Sequence, residues 1–365
     1  MKPLFSIQYL RAGAALAVVI YHALQWRSGG FDVGRAGVDV FFVISGVIMW
    51  RVTAGAKPAP LSFLMRRLTR VAPLYWLVTL LVTGIAILWP MFLPQVFPDP
   101  KALGLSLAFI PHLDHRGLPF PTLPLGWTLD YEAMFYLVFA VALLAPLAAR
   151  AWLVTAILTG IALAGFVLDD QLYFLGANPM LLQFAAGVWI GEALRRGVLP
   201  ARAWGLAMIV AAFGFWTLIE AGGLFVELWR PLQWGLPAAL LVAGALAVET
   251  DATLPDLRPL KQLGDASFAI YLVHMPATAL VAHTLRPRLG WLFLPAAVGA
   301  SIALGLAVHV LIERPLIAWT RSLFRGRRPE PGPVEAQGHF TTGGIEERIE
   351  VTLPPVFSPN IVPRS

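Results

Sequence analysis

The sequence predicts an all-α fold: a polytopic transmembrane helix bundle of about ten spans, with both termini cytoplasmic. Three observations predict it. Hydrophobic residues fill 58% of the 365 positions and charged residues only 13%, about half the charged share of a soluble domain. Mean hydropathy is +0.71. Apolar runs recur along the whole chain at close to the ~20 residues that a membrane-crossing helix needs. Water cannot be the solvent for most of such a surface, and the 13 Trp and 22 Phe suit lipid contact and interfacial anchoring.

The spans read as follows. The run 4–26 is too long for an ordinary signal h-region and contains Arg11, so it reads as the first span and not a cleaved leader. Runs 35–54 and 71–91 follow, then 125–147 and 150–168, with Pro90 and Pro146 as breakers. The remainder are 178–194, 202–220, 231–249 (containing Pro237), 262–284 and 290–313. Residues 1–320 form one transmembrane domain. Residues 321–365, rich in Pro, Gly and charge, read as a disordered cytoplasmic tail.

Loop charge sets the orientation. Basic residues gather at Arg51, Lys57, Arg66, Arg67 and Arg70, at Arg195, Arg196 and Arg202, and at Arg314, Arg321, Arg325, Arg327 and Arg328. The opposite loops hold Asp169 and Asp170, or Glu220, Glu227 and Arg230; Arg286 and Arg288 break the pattern. The basic set is therefore expected to be cytoplasmic. The net charge of +6 sits in short clusters between apolar runs, a topology signal and not a nucleic-acid footprint. With no cysteine, disulfides, thiolate metal sites and cysteine nucleophiles are excluded.

An ionisable side chain in hydrocarbon costs about 2.5–3.5 kcal/mol on insertion scales, so each one marks a candidate site. Arg11 and His22 are eleven residues apart, which returns the helix to within about 20° of its starting direction after a rise of roughly 16 Å. The two side chains share one helix face. Depth along the spans puts His22, Asp39, Asp130 and Glu132 in one layer, roughly 6–10 Å below the outer boundary. An imidazole beside carboxylates is the material of general acid–base chemistry. The cluster Arg66, Arg67 and Arg70 has the composition that grips phosphate.

Plainer readings stand beside these. The arginine cluster serves topology alone; Arg11 neutralises a buried carboxylate such as Asp39; His22 is an interhelical hydrogen-bond donor. His274 reads as structural. Pro-His-Leu-Asp-His at 111–115 resembles a metal cluster only superficially, and no metal is expected. Ser45 has no base partner in sequence, and Gly46 reads as a helix-packing contact. No P-loop or dinucleotide fingerprint is present.

Six ordered segments then carry a resemblance. Ser6-Ile-Gln-Tyr-Leu-Arg11 running on to Tyr21-His22, Gly37-Val-Asp39-Val-Phe-Phe-Val-Ile-Ser-Gly46, and Phe63 with Arg67-Leu-Thr-Arg70-Val-Ala-Pro73-Leu-Tyr-Trp76 resemble the first three helices of membrane acyltransferase family 3. Gly126-Trp-Thr-Leu-Asp-Tyr-Glu132 with Phe135-Tyr136, Gly264 through His274, and Glu313-Arg-Pro315 resemble its later segments. The wording is most similar to the exopolysaccharide-modifying branch.

The resemblance implies a membrane-bound O-acyltransferase in the cytoplasmic (inner) membrane. It implies transfer of an acyl group, normally acetyl from acetyl-CoA, to a hydroxyl of an exopolysaccharide, O-antigen or lipid-linked saccharide, in company with membrane lipid and the polysaccharide synthesis machinery. It also implies functional roles for Arg11, Arg67 and Arg70 toward the donor and for His22 and Glu132 in catalysis, with Asp39 at a family position of less settled role. On this reading His22 is the general base on the acceptor hydroxyl or carries the acyl group transiently, and Glu132 orients it. The stretch from about 150 to 260 matches no family motif, so acceptor identity does not transfer. The rival readings are a transporter or flippase for envelope saccharides, against which the lack of a visible repeat argues, and an inactive scaffold, against which the intact Arg11, His22 and Glu132 argue.

Overall fold

In the computed structural model, residues 4–26, 29–55, 58–168, 176, 178–222, 230–285 and 290–325 are described, and all regular structure among them is helical. The tail predicted from 321 is helical as far as Arg325; the rest of it, together with Lys57, Asp169, Asp170, Glu227, Arg286, Arg288, Arg327 and Arg328, lies outside the described residues.

The helices are α1 (Phe5–Gln25), α2 (Ala36–Ala54), α3 (Pro60–Leu88), α4 (Pro100–Leu107), α5 (Trp127–Ala142) and α6 (Leu147–Leu168). They continue as α7 (Leu182–Arg196), α8 (Arg202–Gly222), α9 (Leu236–Asp251), α10 (Arg258–Thr284), α11 (Phe293–Val308) and α12 (Arg314–Arg325). Every predicted span is occupied by a helix. Among the described residues, eight stretches are long and apolar enough to cross a membrane. The protein is thus a multi-pass membrane protein. Helices α5 and α7 fall short at 16 and 15 residues, about 24 and 22 Å of rise. Each is preceded by a 3-10 turn, Pro124–Gly126 or Pro179–Leu181.

Two elements differ from expectation. The basic stretch at 66–70 is the opening of a 29-residue helix and not a loop, with Pro60 in the first turn where a missing N–H costs nothing. Helix α4 stands in the connection between the third and fourth spans, capped by the Asp99 carboxylate accepting from Ala102 N at 2.7 Å.

Close helix crossings depend on glycine. A Cβ on Gly46 would overlap the Phe184 carbonyl, and one on Gly187 the Val43 carbonyl, so α2 and α7 pack backbone to backbone, the small-residue mode of membrane helices. Beside this seam Phe42, Phe184 and Phe135 stack with ring centroids 4.5 Å apart at each step, joining α2, α7 and α5. The N-terminal amides of α1 are closed by α9: Phe5 N donates to Glu249 at 2.7 Å and Ser6 N at 3.1 Å. Apolar side chains such as Leu88 (87%) and Trp291 (77%) remain exposed on the outside, where lipid is the solvent.

Candidate active site

Two chambers lie inside the bundle, one on each side of a shared wall. The first, about 830 Å³ including space open to solvent, is lined by Arg11, Arg67, Arg70, Glu132, Tyr136 and Ser45, among others. The second, about 1500 Å³ on the same measure, is lined by His22, Arg35, Asp130, Asn178, Arg230 and aromatic rings. They are called here the arginine and histidine chambers. Val38 and Tyr271 line both.

Helix periodicity explains the distribution. Arg11 and His22 share a face of α1 about three turns apart, so one face of one helix supplies a polar group to each chamber. Arg67 and Arg70 are neighbours at i,i+3 on α3 and both line the arginine chamber, whereas Arg66 is exposed and lines neither. Arg67 lies 5.6 Å over the Phe63 ring, and its buried Nε has no hydrogen-bond partner. Arg11 feels the charges of Arg70, Asp265, Glu313 and Glu132.

The hydrogen bonds of Glu132 go to Ser45 and Tyr136 and not to His22. Its carboxylate sits in the arginine chamber, accepting from Ser45 Oγ at 2.8 Å and Tyr136 OH at 2.5 Å. Depth alone had put the two in one layer. Ser45, which lacks a partner within its own sequence neighbourhood, gains one through the fold.

The partner of His22 is His274. A carbonyl can only accept, so His274 Nδ1, 2.7 Å from Tyr271 O, carries a proton, and in a neutral ring its Nε2 is an acceptor. That Nε2 lies 3.1 Å from His22 Nδ1, which is also 3.0 Å from Val18 O. His22 Nδ1 therefore holds the proton and donates to both, leaving Nε2 as the basic nitrogen. The fully buried His274 thus belongs to the site, which its apolar sequence context concealed.

Asp39 is fully buried and lines neither chamber. It accepts from Gln183 Nε2 at 2.5 Å and pairs with Arg230 at 3.2 Å. Arg230, expected among the loop charges, is buried at the start of a π-helical turn, Pro231–Gly235. Asp39, expected among the catalytic residues, is one end of an ion pair that joins α2 to α7 and to the approach of α9, and its partner in that pair is Arg230 and not Arg11.

The wall between the chambers is pinned by Tyr271, whose hydroxyl donates to Leu125 O at 3.1 Å and lies 3.0 Å from Thr128 Oγ1. The 111–115 loop brings Pro111 to the histidine chamber. Its titratable groups are engaged separately: Asp114 with Arg116 at 2.7 Å, His115 stacked on Phe97 at 3.8 Å, His112 2.9 Å from Ile110 O. Among the described residues no group of three His, Cys, Asp or Glu could hold a metal ion.

The family model described as "Acyltransferase domain" matches residues 4–310. The exopolysaccharide production protein ExoZ of Rhizobium meliloti is 36% identical over 82% of this chain and 94% of its own length. BcsY of Komagataeibacter xylinus is 30% identical over 85% and 82%. The peptidoglycan O-acetyltransferase OatA of Listeria monocytogenes is 27% identical over 77% of this chain, which spans 50% of that protein. No solved structure matches the chain.

Proposed function

We propose, from the premise that this chain belongs to acyltransferase family 3 and is a membrane-bound acyltransferase, that it transfers an acetyl group from acetyl-CoA to a hydroxyl of an exopolysaccharide or lipid-linked saccharide. The observation that carries this reading is the pair of chambers stacked along α1, one with three arginines and the other with His22, meeting at Val38 and Tyr271. The relatives named for exopolysaccharide production and for O-acetylation support the same chemistry.

The arginine chamber is the donor side. Acetyl-CoA is made in the cytoplasm, so this chamber faces inward in the cytoplasmic membrane, as the basic loops require. Arg67 and Arg70 hold phosphate oxygens through charge-assisted hydrogen bonds, and Arg11 guides the pantetheine arm toward the wall. The saccharide enters the histidine chamber from the opposite face. His22 Nε2 takes the proton of the attacking hydroxyl as its oxygen bonds to the thioester carbonyl carbon. The carbon–sulfur bond then breaks, and CoA leaves as the thiol with the proton returned from His22. A transient acyl-His22 is the other route the same placement allows; quenched-flow detection of acyl-protein before acceptor is added separates the two.

The primary test is the O-acetyl content of the cell's polysaccharide. With His22→Ala expressed at the wild-type level, acetylation falls to that of a strain lacking the protein. Unchanged acetylation would remove His22 from the reaction.

A further inference from the structure

Helix α5 carries two carboxylates only two residues apart, and this spacing separates them by about 200° around the helix. Glu132 faces the arginine chamber and Asp130 the histidine chamber. Their circumstances differ. Glu132 Oε1 accepts from both Ser45 and Tyr136. Asp130 is 6% exposed, and its Oδ1 has no hydrogen-bond partner. A buried acceptor in this state calls for a donor, and the reaction outlined above makes no use of it.

The chamber's other walls narrow the choice of donor. Trp127, Tyr131 and Phe120 offer ring surfaces, which suit the C–H face of a pyranose. Asn178 donates to the Tyr131 hydroxyl and accepts from Met180 N at 3.0 Å, so it holds a wall in place. An apolar group would leave the Asp130 oxygen unsatisfied. A ring bearing hydroxyl donors satisfies both the carboxylate and the aromatic faces.

We propose that Asp130 binds the acceptor: its carboxylate takes a hydrogen bond from one hydroxyl of a sugar ring held in the histidine chamber, and so presents a neighbouring hydroxyl of that ring to His22. This inference rests on the acyl-transfer reading for the identity of the acceptor, but saccharide binding can be measured without any acyl donor.

The experiment uses the full chain in nanodiscs, titrated with cellotetraose and with maltotetraose and followed by tryptophan fluorescence. Wild type binds at least one of them. Asp130→Ala weakens that binding about tenfold or more, while Asp130→Asn, which keeps a carbonyl acceptor, stays within about threefold. Neither variant unfolds at a lower temperature, because Asp130 Oδ1 holds no protein group, whereas a structural carboxylate would lower it. Equal binding by wild type and Asp130→Ala overturns the proposal, as does failure of wild type to bind either saccharide. Asp130-dependent binding with no acetyl transfer from acetyl-CoA would leave this site standing and sink the acyl-transfer reading instead.

Discussion

In the proposed reaction His22 acts through Nε2, because two acceptors, Val18 O and His274 Nε2, share the proton on Nδ1. The chain of imidazoles is set by a single carbonyl, that of Tyr271, so the same residue fixes the tautomer of the base and pins the wall between the chambers. On the proposed donor side, Arg67 Nε is buried and without a hydrogen-bond partner. Arg67→Ala is expected to raise the KM for acetyl-CoA about ten- to a hundredfold with little change in the KM for acceptor. Arg67→Lys recovers only part of this, since an ammonium lacks the planar fork. Initial rates over a matrix of donor and acceptor concentrations check both, and an effect on acceptor KM alone would contradict the assignment. That Arg67 and Arg70 line the same chamber follows from their i,i+3 spacing once the stretch is helical. The role of His274 was not legible in the sequence, because its partner is 252 positions away.

At the level of elements, the Asp39–Arg230 pair is the clearest structural device. It ties α2 to the start of α9's π-helical approach, with Gln183 bringing in α7. Breaking a buried pair from one side strands a charge and costs about 3–5 kcal/mol. Arg230→Ala should therefore lower the unfolding temperature in detergent sharply, and Asp39→Asn combined with Arg230→Gln should restore most of it. If the single variant unfolds as wild type does, the pair carries no structural weight. The sequence could not assign Asp39 this way, since a carboxylate on an apolar helix looks the same whether it serves catalysis or an ion pair. The two faces of α5 were legible in principle: 100° per residue separates Asp130 from Glu132, while depth along the membrane merges them. The helical opening of α3 was hidden because its basic residues carry the charge of a loop with the periodicity of a helix.

At the scale of the molecule, the all-helical character was legible from apolar run length: among the described residues each expected span holds a helix, and eight stretches are long and apolar enough to cross a membrane. What run length cannot supply is how polar faces meet, and here they meet in two chambers that share Val38 and Tyr271. The division has a chemical use. In the proposed reaction donor and acceptor arrive from opposite sides and the acetyl group passes at the wall formed by Val38 and Tyr271. The most direct measurement is transfer across sealed proteoliposomes with uniformly oriented protein, radiolabelled acetyl-CoA confined to the side of the arginine chamber and saccharide to the other. Labelled saccharide should form on the far side with wild type and not with His22→Ala. Transfer only when both substrates share one side, or transfer by His22→Ala at the wild-type rate, would contradict the account.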